Sequence, residues 1–560
     1  MKKQIDLQLL AIFGGGLLFN LIFWNEELGI NLLIHALLII LALCTDTSKL
    51  NDKKALFFGA TNLFAAILVV YNNMALNIIG YYLSLFIFVG FTQGHLIKTV
   101  FTAGFSGFLQ ILSSPINLIK KLITVKLGKH SLKPILKPFK YVIIPLIILF
   151  FFTIIYSVAS PVFGSYVNEL GNFIERNFLF FFKDLAFDRI FHIILGILFT
   201  AGILLGFKEN ALEKLESTQS EKLIRKRREK NTSSFTQEIK VIFFGNAISK
   251  KMALKTENII GIISLIALNI LLLLLNGIDF NTLWLGNTVD LPGKNYSAEL
   301  HDGTNALIFS IIMAMLVIIY FFSGNLNFFS RNKLLKTLAY IWIAQNAFLV
   351  CSVLLRDYNY IAMHGLTYKR IGVLVFLMLC TAGLDTVYIK VAQQKTLFYL
   401  VKTNGLIWYV ILISFGIINW DVLIVNYNID NRKTITLDLD HIMSLSDKTL
   451  PILDKNRAML ASYAKDSRYS YEVFDTIPET SVHIDTVSKD TASATNGVAT
   501  ASTPIDSAKV KAEYEKNAME NFNDRLNNRI ERYKEQQAQL SWLSWNYRNW
   551  QVNKYFEEHK

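Results

Sequence analysis

The sequence predicts an all-α fold, a polytopic transmembrane helix bundle of about eleven spans with a small, mainly helical C-terminal soluble tail. Composition, the length of the apolar runs and the placement of positive charge predict it. Hydrophobic residues make up 52% of the 560-residue chain, charged residues only 18%, and the mean hydropathy is +0.37. That balance does not belong to a soluble protein. Apolar runs of roughly 17 to 22 residues recur along the first three-quarters of the chain, enough to cross a hydrocarbon core of about 30 Å.

The candidate spans are 7–23, 28–44, 55–71, 75–93, 141–160, 188–206, 257–276, 305–323, 334–355, 371–389 and 404–424. The formal charge of +13 sits between them. With Met1-Lys2-Lys3 in the cytoplasm, connecting segments on that side carry about 31 Lys and Arg, and those on the other side about 7, which is the positive-inside asymmetry. The expected place is the bacterial cytoplasmic (inner) membrane, N-terminus in, C-terminal tail extracytoplasmic. Topology accounts for the basic excess, and no recognition motif supports a nucleic-acid partner.

Cys44, Cys351 and Cys380 lie in or at the ends of apolar runs without CxxC or Cys/His spacing, so they are packing residues rather than disulfide or zinc ligands. Lys2 and Lys3 before an apolar run imitate a signal peptide, yet no small-x-small site follows, and the first span is retained.

The first four spans have short outer turns at Trp24–Glu27 and Asn72-Asn73, which makes antiparallel neighbours the natural packing. The segment 94–140 holds eight lysines and no acidic residue. Its apolar stretch at 99–119 is read as an amphipathic piece at the interface, with a re-entrant hairpin or an extra span as alternatives. Lysines there, and the run Arg225-Lys226-Arg227-Arg228 in the loop 207–255, are topology anchors able to meet anionic headgroups of membrane lipids. The aromatic stretch Phe178–Phe182 suits the headgroup region.

Residues 1–424 are thus the transmembrane domain, 425–483 a soluble post-membrane segment, 484–508 a low-complexity flexible linker, and 509–560 an amphipathic helix with a Trp-rich end. In the last piece Val510, Tyr514, Ala518, Phe522, Leu526 and Ile530 recur every fourth residue. That face needs a partner: the segment 425–475, another copy of the chain, or the membrane surface, for which Trp542, Trp545 and Trp550 are suited.

There is no Walker A loop, HExxH, GxSxG, EF-hand or GxGxxG pattern, so no cofactor, metal or catalytic residue is assigned. Polar residues inside spans are the next place to look, because charge there is costly unless paired or wetted. His35 lies mid-span, read as a neutral imidazole bonded to a neighbouring helix or as a relay or ligand. Asp385 sits near a cytoplasmic end. Gly14-Gly15-Gly16 allows close helix approach. The densest outer cluster is a candidate cap of Glu26, Glu27, Arg356, Tyr360, His364 and Arg370. Two outward arginines run against the charge bias and call for partners, such as a lipid phosphate or the pair Glu26/Glu27.

The turn from Tyr360 through His364-Gly365-Leu366-Thr367 to Arg370 resembles the Tyr-x-x-x-Tyr/His-Gly-Leu-Thr-x-x-Arg signature of bacterial multi-pass proteins known as domain of unknown function 4173, with its sibling 4153. Trp24-x-Glu26 with Gly29-Ile30-Asn31 is similar to the opening motif of that group. Ser160-Pro161-Val162-Phe163 resembles its Asp-Pro-Val-Phe region, with Ser160 in place of Asp. Asn426-Tyr427-Asn428, Leu445-Ser446-Asp447 and Pro451-x-Leu453 resemble its post-membrane segment, and Trp542-x-x-Trp545-Asn546 its ending. The resemblance implies a multi-spanning membrane protein without an assigned activity.

The expected function is a non-enzymatic membrane protein whose outer tail binds a protein partner, self-associates or reports on envelope state. A small-molecule or lipid transporter, and more distantly a membrane enzyme on a lipid-linked substrate, are the alternatives.

Overall fold

The computed structural model describes residues 7–44, 52–94, 96–124, 126–127, 130–131, scattered positions between 145 and 159, 160–178, 187–206, 210–225, 254–286, 296–435, 437–464 and 507–559. The expected span 141–160 lies largely outside them, as do 226–228 of the basic run and nearly all of the linker 484–508. The chain divides into two compact units. One comprises Met1–Asn359, Lys369–Asn419 and Leu540–Arg548; the other comprises Tyr360–Tyr368, Trp420–Gln539 and Asn549–Lys560.

The first unit contains α1 (Leu7–Phe23), α2 (Ile30–Cys44), α3 (Lys53–Asn72), α4 (Ala75–Gln93), α5 (Val100–Leu112), α6 (Ser114–Thr124), α7 (Pro161–Phe178), α8 (Phe187–Leu204), α9 (Asn210–Ser217), α10 (Leu254–Asp279), α11 (Tyr296–Phe321), α12 (Lys333–His364), α13 (Tyr368–Ala392) and α14 (Leu397–Phe415). A two-residue ladder, Lys126–Leu127 with His130–Ser131, departs from helix among the described residues. Among the described residues six helices are long and apolar enough to cross a membrane: α3, α4, α10, α12, α13 and α14. α1, α2, α5 and part of α11 are apolar but shorter. The outward face of α10 shows why lipid is the fitting surround: Ile263, Ile270, Leu273, Leu274 and Ile278 are exposed, while Asn258, Asn269, Asn276 and Asp279 are buried. That inversion of the soluble pattern suits hydrocarbon outside.

Polar side chains zip the helices and reveal their directions. Asn62 Nδ2 donates to Tyr81 O at 3.2 Å and Asn77 Nδ2 to Leu68 O at 2.8 Å, so α3 and α4 are antiparallel. Gln8 Nε2 donates to Leu204 O at 3.0 Å and Asn20 lies 3.3 Å from His192 Nδ1, so α1 and α8 are antiparallel. Their approach rests on glycine: a Cβ on Gly16 would lie 2.8 Å from the Ile197 nitrogen, and one on Gly196 would lie 2.8 Å from Phe19 Cβ. Thr61 and Ser84 both bond the Tyr409 hydroxyl at 2.7 Å, and Asn72 reaches Gly416, so α3 and α14 run parallel.

α10 and α12 also run parallel. Asn269 Nδ2 donates to Leu338 O and Asn276 Nδ2 to Gln345 O, both at 3.1 Å, one heptad apart and with the same offset. Buried Asn at heptad spacing fixes register at some cost in stability.

One expected boundary is corrected. The span drawn at 404–424 is instead α14, starting at Leu397 because Thr396 caps Tyr399 N, and ending at Phe415. It ends there because Asn72 Nδ2 donates to the carbonyls of both Gly416 and Ile417, each at 2.8 Å, supplying a partner for oxygens that would otherwise stay unpaired at a helix terminus. The segment 99–119, expected as an amphipathic interfacial piece with a re-entrant hairpin or an extra span as alternatives, forms α5 and the start of α6, which meet at Ser113. α5 packs inside the bundle, its Gln110 Nε2 donating to Gly202 O at 2.7 Å. At 13 residues it extends about 20 Å, too short to cross alone.

The second unit is built from α15 (Trp420–Asp430), α16 (Leu439–Ser444), α17 (Leu450–Lys455), α18 (Arg457–Ala464), α19 (Ser507–Ala538) and α20 (Tyr547–Glu558), together with the turn 360–368. Its core contains Val425, Ile442, Leu450, Leu453 and Leu460, with Phe522, Leu526 and Ile530 from α19 buried as well. The apolar face of α19 therefore has its partner within the chain, chiefly α18 and its neighbours. The side chains of Val510 and Tyr514 lie outside the described residues.

Candidate functional site

In the first unit the α1–α2 turn receives residues from near the C-terminus. Asn31 organises the turn: its Oδ1 accepts from Gly29 N at 2.7 Å and its Nδ2 donates to Glu27 O at 2.8 Å. Ile30 N then donates to Trp545 O at 2.9 Å, a contact possible only over glycine, since a Cβ on Gly29 would lie 2.5 Å from that oxygen. Glu26 Oε2 accepts from Ser541 N at 3.3 Å and from the Ser544 hydroxyl, and Ser544 Oγ in turn accepts from Glu27 N at 2.8 Å. Nearby, Arg548 lies over Tyr71 and donates from Nε to Asn72 Oδ1 at 3.2 Å, and Tyr71 stacks on Tyr547 at 5.0 Å.

In the second unit the His364-Gly365-Leu366 turn is read by one amide. Asn428 Oδ1 accepts from Leu366 N at 2.6 Å and Nδ2 donates to Leu366 O at 3.0 Å. Gly365 has φ +82, so an L side chain would be strained there. Asp421 joins two motifs, accepting from Tyr368 Oη and from Ser446 Oγ, each at 2.5 Å. Arg529 of α19 holds the next turn through Asp447 at 2.6 Å and the carbonyls of Met443 and Leu445 at 2.6 and 2.8 Å.

A family model described as domain of unknown function (DUF4153) matches residues 12–456. The chain belongs to this family. No curated protein and no solved structure matches it. Of the two sibling families that the motifs resemble, DUF4153 is the one shown.

In this DUF4153 member the expected cap residues go to different places. Glu26 and Glu27 hold Ser541 and Ser544. Arg356 donates to Asp279 at the end of α10, which corrects its expected pairing with Glu26 or Glu27. Asp279 lies three residues beyond the expected end of that span at Asn276, on the last turn of α10. Arg370 acts electrostatically on Asp357. Tyr360 and His364 pack ring on ring at 4.6 Å.

His35 sits among the rings of Phe19, Phe23 and Phe199, with centroids 5.3 to 5.9 Å away, rather than at a visible interhelical hydrogen bond. Asp385 is exposed on α13. Lys390, in the same helix and one residue past the expected span 371–389, is buried and donates to Phe322 O at 2.6 Å. Among the described residues no three His, Cys, Asp or Glu side chains converge as a metal site. A shallow cleft with room for no more than about one water is lined by Ala65, Leu68, Asn77, Gly80, Ile413 and Gly416.

A second set of contacts joins elements far apart in sequence. Glu216 of α9 caps the start of α5, accepting from Lys98 N at 2.5 Å and from Thr99 Oγ1 at 2.8 Å. Five residues on, Glu221 bonds Lys402 at 2.5 Å, and Leu223 N donates to Gln394 O at 2.9 Å. The hydrogen bond from Lys402, opposed by burial and aided by the charges of Lys402, Lys395 and Lys98, holds the Glu221 carboxyl below its ordinary value.

Proposed function

We propose that the chain is a non-enzymatic, multi-pass protein of the bacterial inner membrane that displays its second unit outside the cytoplasm for interaction, self-association or sensing of envelope state. The observation that carries this reading is the closure of that unit by its own α19, through Phe522, Leu526, Ile530 and the Arg529 clamp. A tail that merely trailed from the last span would need none of these. Eleven crossings, N-terminus in, fit the helix directions: first and sixth spans (α1, α8) opposed, third and eleventh (α3, α14) parallel, seventh and ninth (α10, α12) parallel. The motif likeness to the 4173 group extends the same reading to a wider set of multi-pass proteins.

Cross-linking in intact cells with a membrane-impermeant amine reagent tests the idea, because Lys516 and Lys554 are exposed on the second unit. A discrete adduct through these lysines, either a dimer of the chain or one recurrent partner, is expected. Absence of any such adduct, with the purified chain monomeric, would reject it. A transporter-like role has one observation in its favour, the line of buried amides between α10 and α12.

A further inference from the structure

Two stripes of exposed apolar side chains run toward the same end of the first unit. Leu10, Phe13, Leu17 and Leu21 follow one another along α1 at spacings of three and four, and Phe64, Ile67 and Tyr71 do so along α3, each 40 to 63% exposed. On apolar helices of 17 and 20 residues such stripes are the faces that lipid covers. They stop where α1 ends at Phe23 and α3 at Asn72, and polar turns containing Asn25, Glu26 and Asn73 take over.

The segment Ser541–Arg548 is fastened at this end to both turns. Ser541 and Ser544 donate to Glu26, and the Trp545 carbonyl accepts from Ile30 N. Arg548 is bonded to Asn72 and lies 5.0 Å over the Tyr71 ring, and Tyr547 stacks on Tyr71 with the two rings 8° from parallel. The lipid-facing stripe of α3 therefore continues through Tyr71 into the segment. These contacts use its hydroxyls, backbone and last two side chains, and they leave two indoles outside: Trp542 is 67% exposed and Trp545 41%. An indole carries a large apolar body and one N–H donor, which suits it to the boundary between hydrocarbon and water. Both stand where an apolar face gives way to a polar turn. The one carboxylate that the segment contacts, Glu26, is already engaged by the two serines.

We propose that Trp542 and Trp545 lie in the lipid headgroup region at this end of α1 and α3, so that the bilayer holds Ser541–Arg548 together with the two turns. The proposal takes α1 and α3 to be embedded in lipid and is independent of what the second unit contacts.

The test uses the full-length chain in nanodiscs of phosphatidylcholine and phosphatidylglycerol, plain or brominated on the acyl chains either close to the headgroup or close to the chain ends. Subtracting the emission of Trp542→Phe or of Trp545→Phe from that of the wild type isolates each indole. Both side chains are exposed and make none of the segment's hydrogen bonds to the turns, so either substitution leaves the fold in place. Each difference spectrum should lie to the blue of free tryptophan in water. It should be quenched several-fold more by bromine close to the headgroup than by bromine at the chain ends, and only weakly by aqueous iodide. Iodide quenching as strong as that of free tryptophan would put the indoles in water and overturn the proposal. Strongest quenching by the deep bromine would put them in the hydrocarbon core, and indifference to both bromine and iodide would mean that protein, such as a second copy of the chain, covers them; either result overturns it equally.

Discussion

Asn428 bonds both backbone groups of Leu366, accepting from its N–H at 2.6 Å and donating to its carbonyl at 3.0 Å. One side chain therefore stands in for a neighbouring strand, and the turn after α12 has its shape only while that amide is present. Asn428→Ala removes both bonds and leaves two buried backbone groups unpaired, so a loss of about 2–4 kcal/mol is expected. Asn428→Asp keeps the acceptor but sets a carboxylate against the Leu366 carbonyl, and should be at least as damaging. Denaturant unfolding of the purified variants, followed by limited proteolysis across 420–464, measures both.

Arg529 offers the second test. Its guanidinium serves Asp447 and two carbonyls at once, a geometry that an ammonium cannot copy. Arg529→Lys should therefore behave much like Arg529→Ala, each costing about 1–3 kcal/mol and each exposing α19 to protease. A lysine variant as resistant as wild type would mean that charge alone holds the helix.

Gly14 and Gly16 lie on one helix and face different surroundings. A Cβ on Gly14 meets nothing within 4 Å, whereas one on Gly16 would press on the Ile197 backbone. Gly14→Ala should be neutral or stabilising by about 0.5–1 kcal/mol, and Gly16→Ala should destabilise by about 1–3 kcal/mol through overpacking. Detergent stability read by fluorescence size exclusion separates the two.

The Glu221–Lys402 pair predicts a pH dependence. Glu221 is held below the ordinary glutamate value, so its contribution is whole above about pH 4.3 and is lost as pH falls through the lower, folded-state value. Both side chains are about 40% exposed, which limits the effect to a few tenths of a kcal/mol. Glu221→Gln should flatten the acid limb of a stability profile slightly, with no change at neutral pH beyond the loss of the pair itself.

Much of the helical framework was legible because lipid demands long apolar runs. α4 occupies the expected 75–93, and α10, α12 and α13 contain their expected spans. Boundaries failed where the deciding partner is remote. Gly416–Asn419 is apolar enough to extend a span, and only Asn72, more than 300 residues earlier, ends α14 there. The cap motifs could be seen as motifs, but not their partners: nothing near Glu26 points to Ser544, and nothing near His364 points to Asn428. The polar line on α10 is legible in the sequence, since Asn269, Asn276 and Asp279 recur at helical spacing in an otherwise aliphatic stretch.

The proposed topology has an odd number of membrane crossings between α9 and the second unit. Single cysteines at Thr218 and Ser462, in a background lacking Cys44, Cys351 and Cys380, test it with an impermeant thiol reagent on intact cells. Ser462→Cys should label at once and Thr218→Cys only after permeabilisation. Labelling of both sites from the same side would contradict the account.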